Sequence, residues 1–359
     1  MKIGIVGGGI NGLCCAWTLT EAGHDVQLFE RGGVVEETSR ASSKLLHGGL
    51  RYLENFEFRL VREALQERDG WLDRSPGLTK PLRLVIPIYK DSRRGRWPVL
   101  AGLTLYRLLA GNSRHGLFRW LDADALGAND PHLVQDGLIG GYQFLDGQMD
   151  DYRLGLWVAD KVRAAGGQIA EHTEVTNVSA DGSLRTADGQ THQFDAVINV
   201  AGPWAESLSS NSGQELPFQL DLVRGSHLIV DRPCPQAYLL EAKGQRRVFF
   251  VLPWQGKTMI GTTEVRQVLD EPVRCSDDEQ RYLLDCYNAY STQPLQQADV
   301  ESTFAGVRPL IMSANDPNKA TREYALHVND RLLTVLGGKW TTALALSRQV
   351  SRQLTKVAG

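Results

Sequence analysis

The first thirty residues constrain the fold most. Met1 to Val6 is a short apolar run, GGGING follows directly, Gly12 to Ala22 continues at helical spacing until Gly23, and His24 to Phe29 is again rich in strand formers. Glu30 closes the unit. Each glycine of such a turn has its own use: Gly7 lets the chain leave the strand sharply, Gly9 lets backbone approach a pyrophosphate, and Gly12 lets helix and strand pack closely. Ile10 and Asn11 open the helix, whose free amides and positive dipole end suit phosphate oxygens. Glu30, about twenty residues on, stands where a carboxylate accepts hydrogen bonds from ribose hydroxyls, with Arg31 beside it. The chain opens on a βαβ nucleotide cradle.

At 359 residues the chain exceeds one ordinary core, so two packed domains are expected. A hydrophobic content of 42% and a charged content of 23% are those of a soluble globular protein. A net charge of −3 gives no reason to expect nucleic acid as a partner. Cysteines 14, 15, 234, 275 and 286 form neither a CxxC pair nor a zinc spacing, so buried thiols in a reducing compartment are expected. The first strand begins at Lys2, leaving no room for a signal peptide, and no run has the length of a transmembrane helix. The sequence thus predicts a cytoplasmic protein.

A second cluster follows the cradle. Ser39, Ser42 and Ser43 offer small hydroxyls, Gly48 and Gly49 let backbone run close to something flat, and Arg51 comes next. A nicotinamide fold has no need of it, whereas a dinucleotide with an extended ring system does. The segment SSKLLHGGLRYLENFEFRLVREAL resembles the flavin-contacting stretch of FAD-dependent glycerol-3-phosphate dehydrogenases, within the D-amino-acid-oxidase-like flavoproteins. The resemblance extends along almost the whole chain, to a short form without the family's C-terminal helical domain. It implies FAD as cofactor and adds Lys44, Leu46 and His47 to the flavin loop, and it implies no metal. Arg40 departs from it, standing where the family carries a small residue.

Further along, Phe58, Val61, Leu65 and Trp71 give helical spacing over Glu54–Asp73, and PLRLVIPIY reads as a strand. Residues 93–111 bring arginines before an apolar stretch containing Trp97 and Tyr106, which suits either a helix lying in a lipid headgroup region or a buried helix with a basic loop. The resemblance favours the first, at the inner face of the cell membrane, with electrons passed to a quinone or another acceptor. Residues 111–150 read as loop-rich because glycines and Pro131 interrupt them, and a helix restarts at Asp150 and Asp151. Tyr152, like Arg40, departs from the family, which carries alanine there.

Gln168–Val178 reads as a strand whose Val175 matches a backbone contact to the adenine side of FAD. A hairpin through Asp188–Gly189 and a buried strand ending in NVAGPWA follow, placing Ala201, Gly202 and Trp204 at the cofactor. Residues 216–328 change to antiparallel strands with one capped helix at 276–290. The closing LLTVLGGKWTT echoes the opening turn, with Gly337, Gly338, Lys339 and Thr341 matching the family's flavin turn and Trp340 replacing a leucine.

A phosphorylated alcohol needs cations, and arginine's planar fork suits phosphate. The resemblance assigns this to Arg51 in LRYLE with its neighbour Tyr52, Arg308 in AGVRPL, Arg322 in ATREY and Lys339 in GGKWTT. His227 in RGSHLIV matches the family's active-site histidine and could take the hydroxyl proton as a neutral imidazole, with Arg308 steadying the alkoxide. The expected class is therefore α/β: a Rossmann-like FAD-binding domain (1–75, 146–215, 330–359) with an interleaved antiparallel β-sheet substrate domain (76–145, 216–329). The expected reaction is oxidation of sn-glycerol 3-phosphate at C2 to dihydroxyacetone phosphate, by hydride transfer to flavin N5. Two alternatives stay open at this point: oxidation of another small anion (a 2-hydroxy acid, amine or phosphonate), and a flavin-binding membrane module without turnover.

Overall fold

The structure is a computed structural model and describes residues 1–313, 316–321 and 324–357, without the side chains of 313–323 and 355–357. Among the described residues, six strands form a first sheet, in the order Tyr324–Asn329, Leu332–Gly337, Ala196–Asn199, Lys2–Val6, Asp25–Phe29 and Gln168–Ala170. All neighbours pair in parallel except Tyr324–Asn329. Alternation sets its two faces. Ile3, Ile5, Val26, Leu28, Ala196 and Ile198 pack on the helices Ile10–Glu21, Asp151–Ala164 and Ala343–Val357. Val6, Phe29, Val197 and Leu332 pack with Phe194 and with Val175, Val178 and Leu184 of a small antiparallel sheet, Val175–Val178, Ser183–Thr186 and Thr191–Gln193. Burial on both faces explains why these strands read as unbroken apolar runs. The expected single strand 168–178 is two, one in each sheet.

The larger sheet runs Asp316–Thr321, Val300–Ser313, Phe218–Val230, Lys257–Gly261, Val248–Trp254, Ala237–Glu241, Thr79–Tyr89, Leu138–Met149 and Leu45–Leu46. It corrects the loop-rich reading of 111–150: Leu138–Met149 is a twelve-residue strand paired along Thr79–Tyr89, and Phe118–Asp122 pairs with it. Its glycines mark close approach rather than turns. A Cβ on Gly141 would lie 2.7 Å from the Ile86 carbonyl oxygen, and one on Gly147 3.0 Å from Leu46. This strand crosses position 145, and Tyr324–Asn329 belongs to the first sheet, so neither sheet breaks at 145 or 329.

Helix Phe58–Arg74 buries Leu60, Val61, Leu65 and Trp71, while Phe58, expected on its apolar face, is exposed. Helix Asp277–Asn288 starts on a capping box in which Ser276 and Glu279 exchange hydrogen bonds. Helix Arg96–Ala110 buries Val99, Leu103 and Tyr106 and exposes Trp97 and Leu108. Tyr106 therefore corrects its expected place at a headgroup surface. Its hydroxyl donates to Asp146 at 2.8 Å and accepts from the Gly48 amide at 2.8 Å, and the fully buried Arg68 pairs with the same carboxylate at 2.9 Å. Burial pushes Asp146 upward against the opposing pull of Arg68.

Candidate active site

The opening turn borders a cavity of about 420 Å³. Gly7, Gly9, Ile10, Asn11, Glu30, Arg31, Ser39, Val175, Ala201, Gly202 and Trp204 all line it. Gly12 does not. It packs against the turn itself, where a Cβ would fall 1.9 Å from the Gly7 carbonyl oxygen. Glu30 accepts from the Gly8 amide at 2.6 Å and the Gly32 amide at 2.9 Å, which fixes its carboxylate at the cavity wall. Arg31 lies over the Trp204 ring, 3.9 Å from its centroid. Ser39 Oγ accepts from the Ile10 amide at 2.9 Å. Asn11 Oδ1 is buried there without a hydrogen-bond partner among the described residues. A tight glycine turn, a fixed carboxylate and an unanswered buried polar atom fit the diphosphate and ribose of a dinucleotide.

The closing turn docks onto the same region. Asn11 Nδ2 donates to the Gly337 carbonyl at 3.5 Å, and Gly337 and Gly338 have φ of 76° and 100°, where a side chain is strained. Trp340 Nε1 donates to the Ser39 carbonyl at 2.8 Å, and Thr341 Oγ1 accepts from the His47 amide at 3.2 Å. The two ends of the chain thus grip the loop between them. Within that loop Ser42 and Lys44 turn elsewhere: the Ser42 hydroxyl donates to Asp151 at 2.7 Å, and Lys44 forms a buried ion pair with Asp151 at 2.7 Å. Their side chains, expected at the cofactor, instead tie the loop to helix Asp151–Ala164. Leu46 is buried in the larger sheet, and Gly48 is held by Tyr106. The departing residues meet, Arg40 lying 6.0 Å from the Tyr152 ring.

The cations gather beyond this loop. Val223, Gly225 and His227 share one face of their strand and pair with Arg308, Gly306 and Phe304 of the next. Glycine at 225 leaves room for the guanidinium, since a Cβ there would lie 2.8 Å from Arg308 Nη2. Arg308 donates to the Thr263 carbonyl at 2.7 Å. Arg51 and Arg308 each lie 3.8 Å from Glu264 Oε1, and Arg247 lies 3.5 Å from Oε2. Lys339 sits 4.0 Å over the Tyr52 ring. Arg322 lies outside the described residues.

His227 stacks on Phe304 with ring centroids 4.6 Å apart, and its Nε2 is 2.9 Å from Ser43 Oγ. Burial first, then the charges of Lys44 and Arg308, pushes its pKa down to about 3. The imidazole is therefore neutral at neutral pH and weakly basic until an anion arrives beside it. A buried carboxylate behind it holds the frame: Glu279 accepts from Thr263 at 2.6 Å, Ser226 at 2.7 Å and Arg224 at 2.8 Å. Burial opposes its charge, but these bonds outweigh it and hold Glu279 at about 2. Glu264, Arg247 and Glu279 escaped the motif reading. The signal available was a pair of glycines, 225 and 306, facing each other across two strands where the Arg308 guanidinium and the Ala41 backbone approach closely.

The fold and cavity define a dinucleotide-binding flavoprotein. A family model described as DAO, FAD dependent oxidoreductase, matches residues 2–352. The chain belongs to this family and is an FAD-dependent oxidoreductase with FAD as its cofactor. The glycerol-3-phosphate dehydrogenase of Pseudomonas aeruginosa is 38% identical over 373 residues, covering 98% of this chain and 71% of that protein. The D-erythritol 1-phosphate dehydrogenase of Brucella abortus is 35% identical over 371 residues, covering 98% and 73%. Among solved structures, the glycerol-3-phosphate dehydrogenase from Bacillus halodurans complexed with FAD matches in fold with a TM-score of 0.79 at 24% identity. This chain spans 64% of that one.

Proposed function

We propose that the protein oxidises sn-glycerol 3-phosphate at C2 to dihydroxyacetone phosphate and passes the electrons to a quinone or another acceptor. The observation that carries this reading is the convergence of Arg51 and Arg308 on one point 3.8 Å from each, close to a neutral histidine. The names borne by the Pseudomonas and Brucella relatives, both phosphorylated-polyol dehydrogenases, support it.

In this reading the expected segments 1–75, 146–215 and 330–359 hold the cofactor together with strand Tyr324–Asn329 of their sheet, and the rest of 76–145 and 216–329 caps it. Bound along the two glycine turns, FAD supplies the hydride acceptor. Arg51, Arg308, Arg322 and Lys339 bind the phosphate, with Tyr52 backing Lys339. His227 takes the C2 hydroxyl proton, and the bound dianion raises its basicity toward the useful range. Arg308 stabilises the oxygen as it gives up that proton. Ser43, hydrogen-bonded to Nε2, sets the ring's orientation.

Anaerobic titration with sn-glycerol 3-phosphate tests the reading. Purified yellow protein should lose its flavin absorbance on addition of substrate. Protein that stays colourless after flavin reconstitution, or a flavin that the substrate leaves oxidised, sinks it. D-erythritol 1-phosphate in the same titration distinguishes a preference for the longer polyol.

Contact with a membrane surface through 93–111 belongs to the same proposal. No helix among the described residues is long and apolar enough to cross a membrane. Exposed Trp97 and Leu108, with exposed Arg93, Arg96 and Arg107 around them, suit the headgroup region of an anionic bilayer. Flotation with anionic vesicles should carry the protein and lose it when both apolar residues become serine.

A further inference from the structure

Glu264 is a carboxylate at the place where an anionic substrate belongs. It touches Arg51, Arg308 and Arg247 at 3.8, 3.8 and 3.5 Å. Charge-assisted hydrogen bonds between guanidinium and carboxylate are about 2.7–2.9 Å long. The three contacts to Glu264 are longer than that, as ion pairs rather than direct hydrogen bonds. The groups are partly open to solvent, with side-chain exposures of 31% for Arg51, 30% for Arg308, 27% for Arg247 and 30% for Glu264. A molecule arriving from solvent can therefore reach them.

Two of the arginines have supports besides Glu264. Arg308 is held by the Thr263 carbonyl, and Thr263 in turn by Glu279. Arg247 lies over the Tyr282 ring, 5.6 Å from its centroid. For Arg308 and Arg247 the carboxylate is thus one contact among others, and it neutralises part of their charge.

We propose that Glu264 is an internal surrogate for the substrate's anionic group, and that it sets the anion selectivity of the site by competing for Arg51, Arg247 and Arg308. This rests on the proposed anion site. A ligand anion enters by drawing the guanidiniums off Glu264, so every ligand works against that competition and against the like charge left beside it. The repulsion scales with ligand charge, so a dianion is penalised more than a monoanion. Glu264 therefore narrows the advantage that a dianion has over a monoanion beside three arginines, and a phosphate ester binds against that competition by making several charge-assisted bonds at once. The same competition helps a phosphorylated product leave. Arg247 becomes a further specificity-determining residue, reached through its ion pair with the same carboxylate.

Calorimetric titration of the flavin-loaded enzyme with inorganic phosphate and with acetate tests this without turnover. For Glu264→Gln, phosphate should bind roughly tenfold tighter and acetate only about threefold tighter, the sign and order following from the charge removed. Glu264→Asp draws the carboxylate back from the guanidiniums and should fall between wild type and Gln. It carries the test alone if the Gln variant fails to retain flavin. Phosphate affinity that is unchanged or weaker in these variants overturns the proposal, as does an equal gain for both anions. If the wild-type enzyme binds neither anion while retaining flavin, the anion site itself is wrong, and the surrogate falls with it.

Discussion

The two ends of the proposed active site are built by different means. At the nucleotide end, the stretch from Val6 to Ser39 supplies over half of the wall, and backbone does much of the work: the Gly7–Gly12 turn, the amides that fix Glu30 and the start of helix Ile10–Glu21. At the cation end, Arg51, Arg247 and Arg308 arrive from three separate parts of the chain and meet at Glu264. Their positions depend on strand register and, for Arg308, on Thr263 and the buried Glu279 that holds it. The first end is fixed by local geometry, and the second by long-range packing. Substitutions should therefore damage the two ends in different ways.

The nucleotide end should break most sharply. Gly12→Ala puts a methyl group 1.9 Å from the Gly7 carbonyl oxygen, and both partners are backbone. The turn must open, at an expected cost of about 3–4 kcal/mol. The purified variant should carry no flavin, by absorbance, and melt earlier; full flavin occupancy would mean the turn is not the cradle.

Asp146→Asn tests the support of the flavin loop. It leaves the fully buried Arg68 without its buried counter-charge and weakens the acceptor of Tyr106. Asp69, also paired with Arg68 at 2.8 Å, offsets part of this. A loss of about 3 kcal/mol in denaturant unfolding is expected. Because Gly48 rests on this network, flavin affinity should fall as well. A variant that unfolds earlier but holds flavin as tightly would separate the network from the loop.

At the cation end the fold should survive and catalysis should suffer. Arg308→Gln removes a charge and a planar fork from a partly open site, so stability should change little. kcat/KM for sn-glycerol 3-phosphate should drop roughly 100-fold, the scale of losing charge-assisted hydrogen bonds to a dianion. Arg308→Lys should recover only part of this, since it restores charge without the fork.

His227 links the two ends through pH. Its folded-state pKa of about 3 lies below the unfolded value near 6.5. Between those limits the unfolded chain binds the extra proton, so the stability tied to this group is fully present above about pH 6.5 and is lost as pH falls toward 3. His227→Gln should flatten the acid limb of the melting profile, reducing the stability lost between pH 7 and pH 4 by about 3 kcal/mol. An unchanged acid limb would show that the ring is not held neutral by burial.

The same contrast explains what could be read in advance. The opening cradle was legible because the residues that perform it are adjacent: glycines at three fixed offsets and an acid at the end of the next strand. The cations were legible only as motif members, because nothing local to Arg308 says that it faces His227. That follows from pairing Val223 with Arg308 and His227 with Phe304. Glu264 was not legible at all, since its meaning arises from three arginines distant in sequence. Strand Leu138–Met149 was misread for a related reason: Gly141 and Gly147 allow close strand contact, and in one dimension such a glycine looks like a turn. Ser42 and Lys44 were placed at the cofactor by their motif, yet Asp151, more than a hundred residues away, claims both side chains.

The smallest effect should come from Arg31, which sharpens the comparison because it is a side-chain contribution at the end built mostly by backbone. Its guanidinium lies 3.9 Å from the Trp204 ring centroid and pairs with Glu37 at 3.2 Å, both at the rim, where its side chain is 40% exposed. An exposed cation over an aromatic face contributes about 0.5–1 kcal/mol, and an exposed ion pair adds little. Arg31→Ala should therefore weaken flavin binding only about two- to fivefold in an equilibrium titration of the apoprotein, with no change in the oxidation rate of the loaded enzyme. A much larger loss would mean that side chains, rather than the glycine turn, dominate at the nucleotide end, and the contrast between the two regions would collapse.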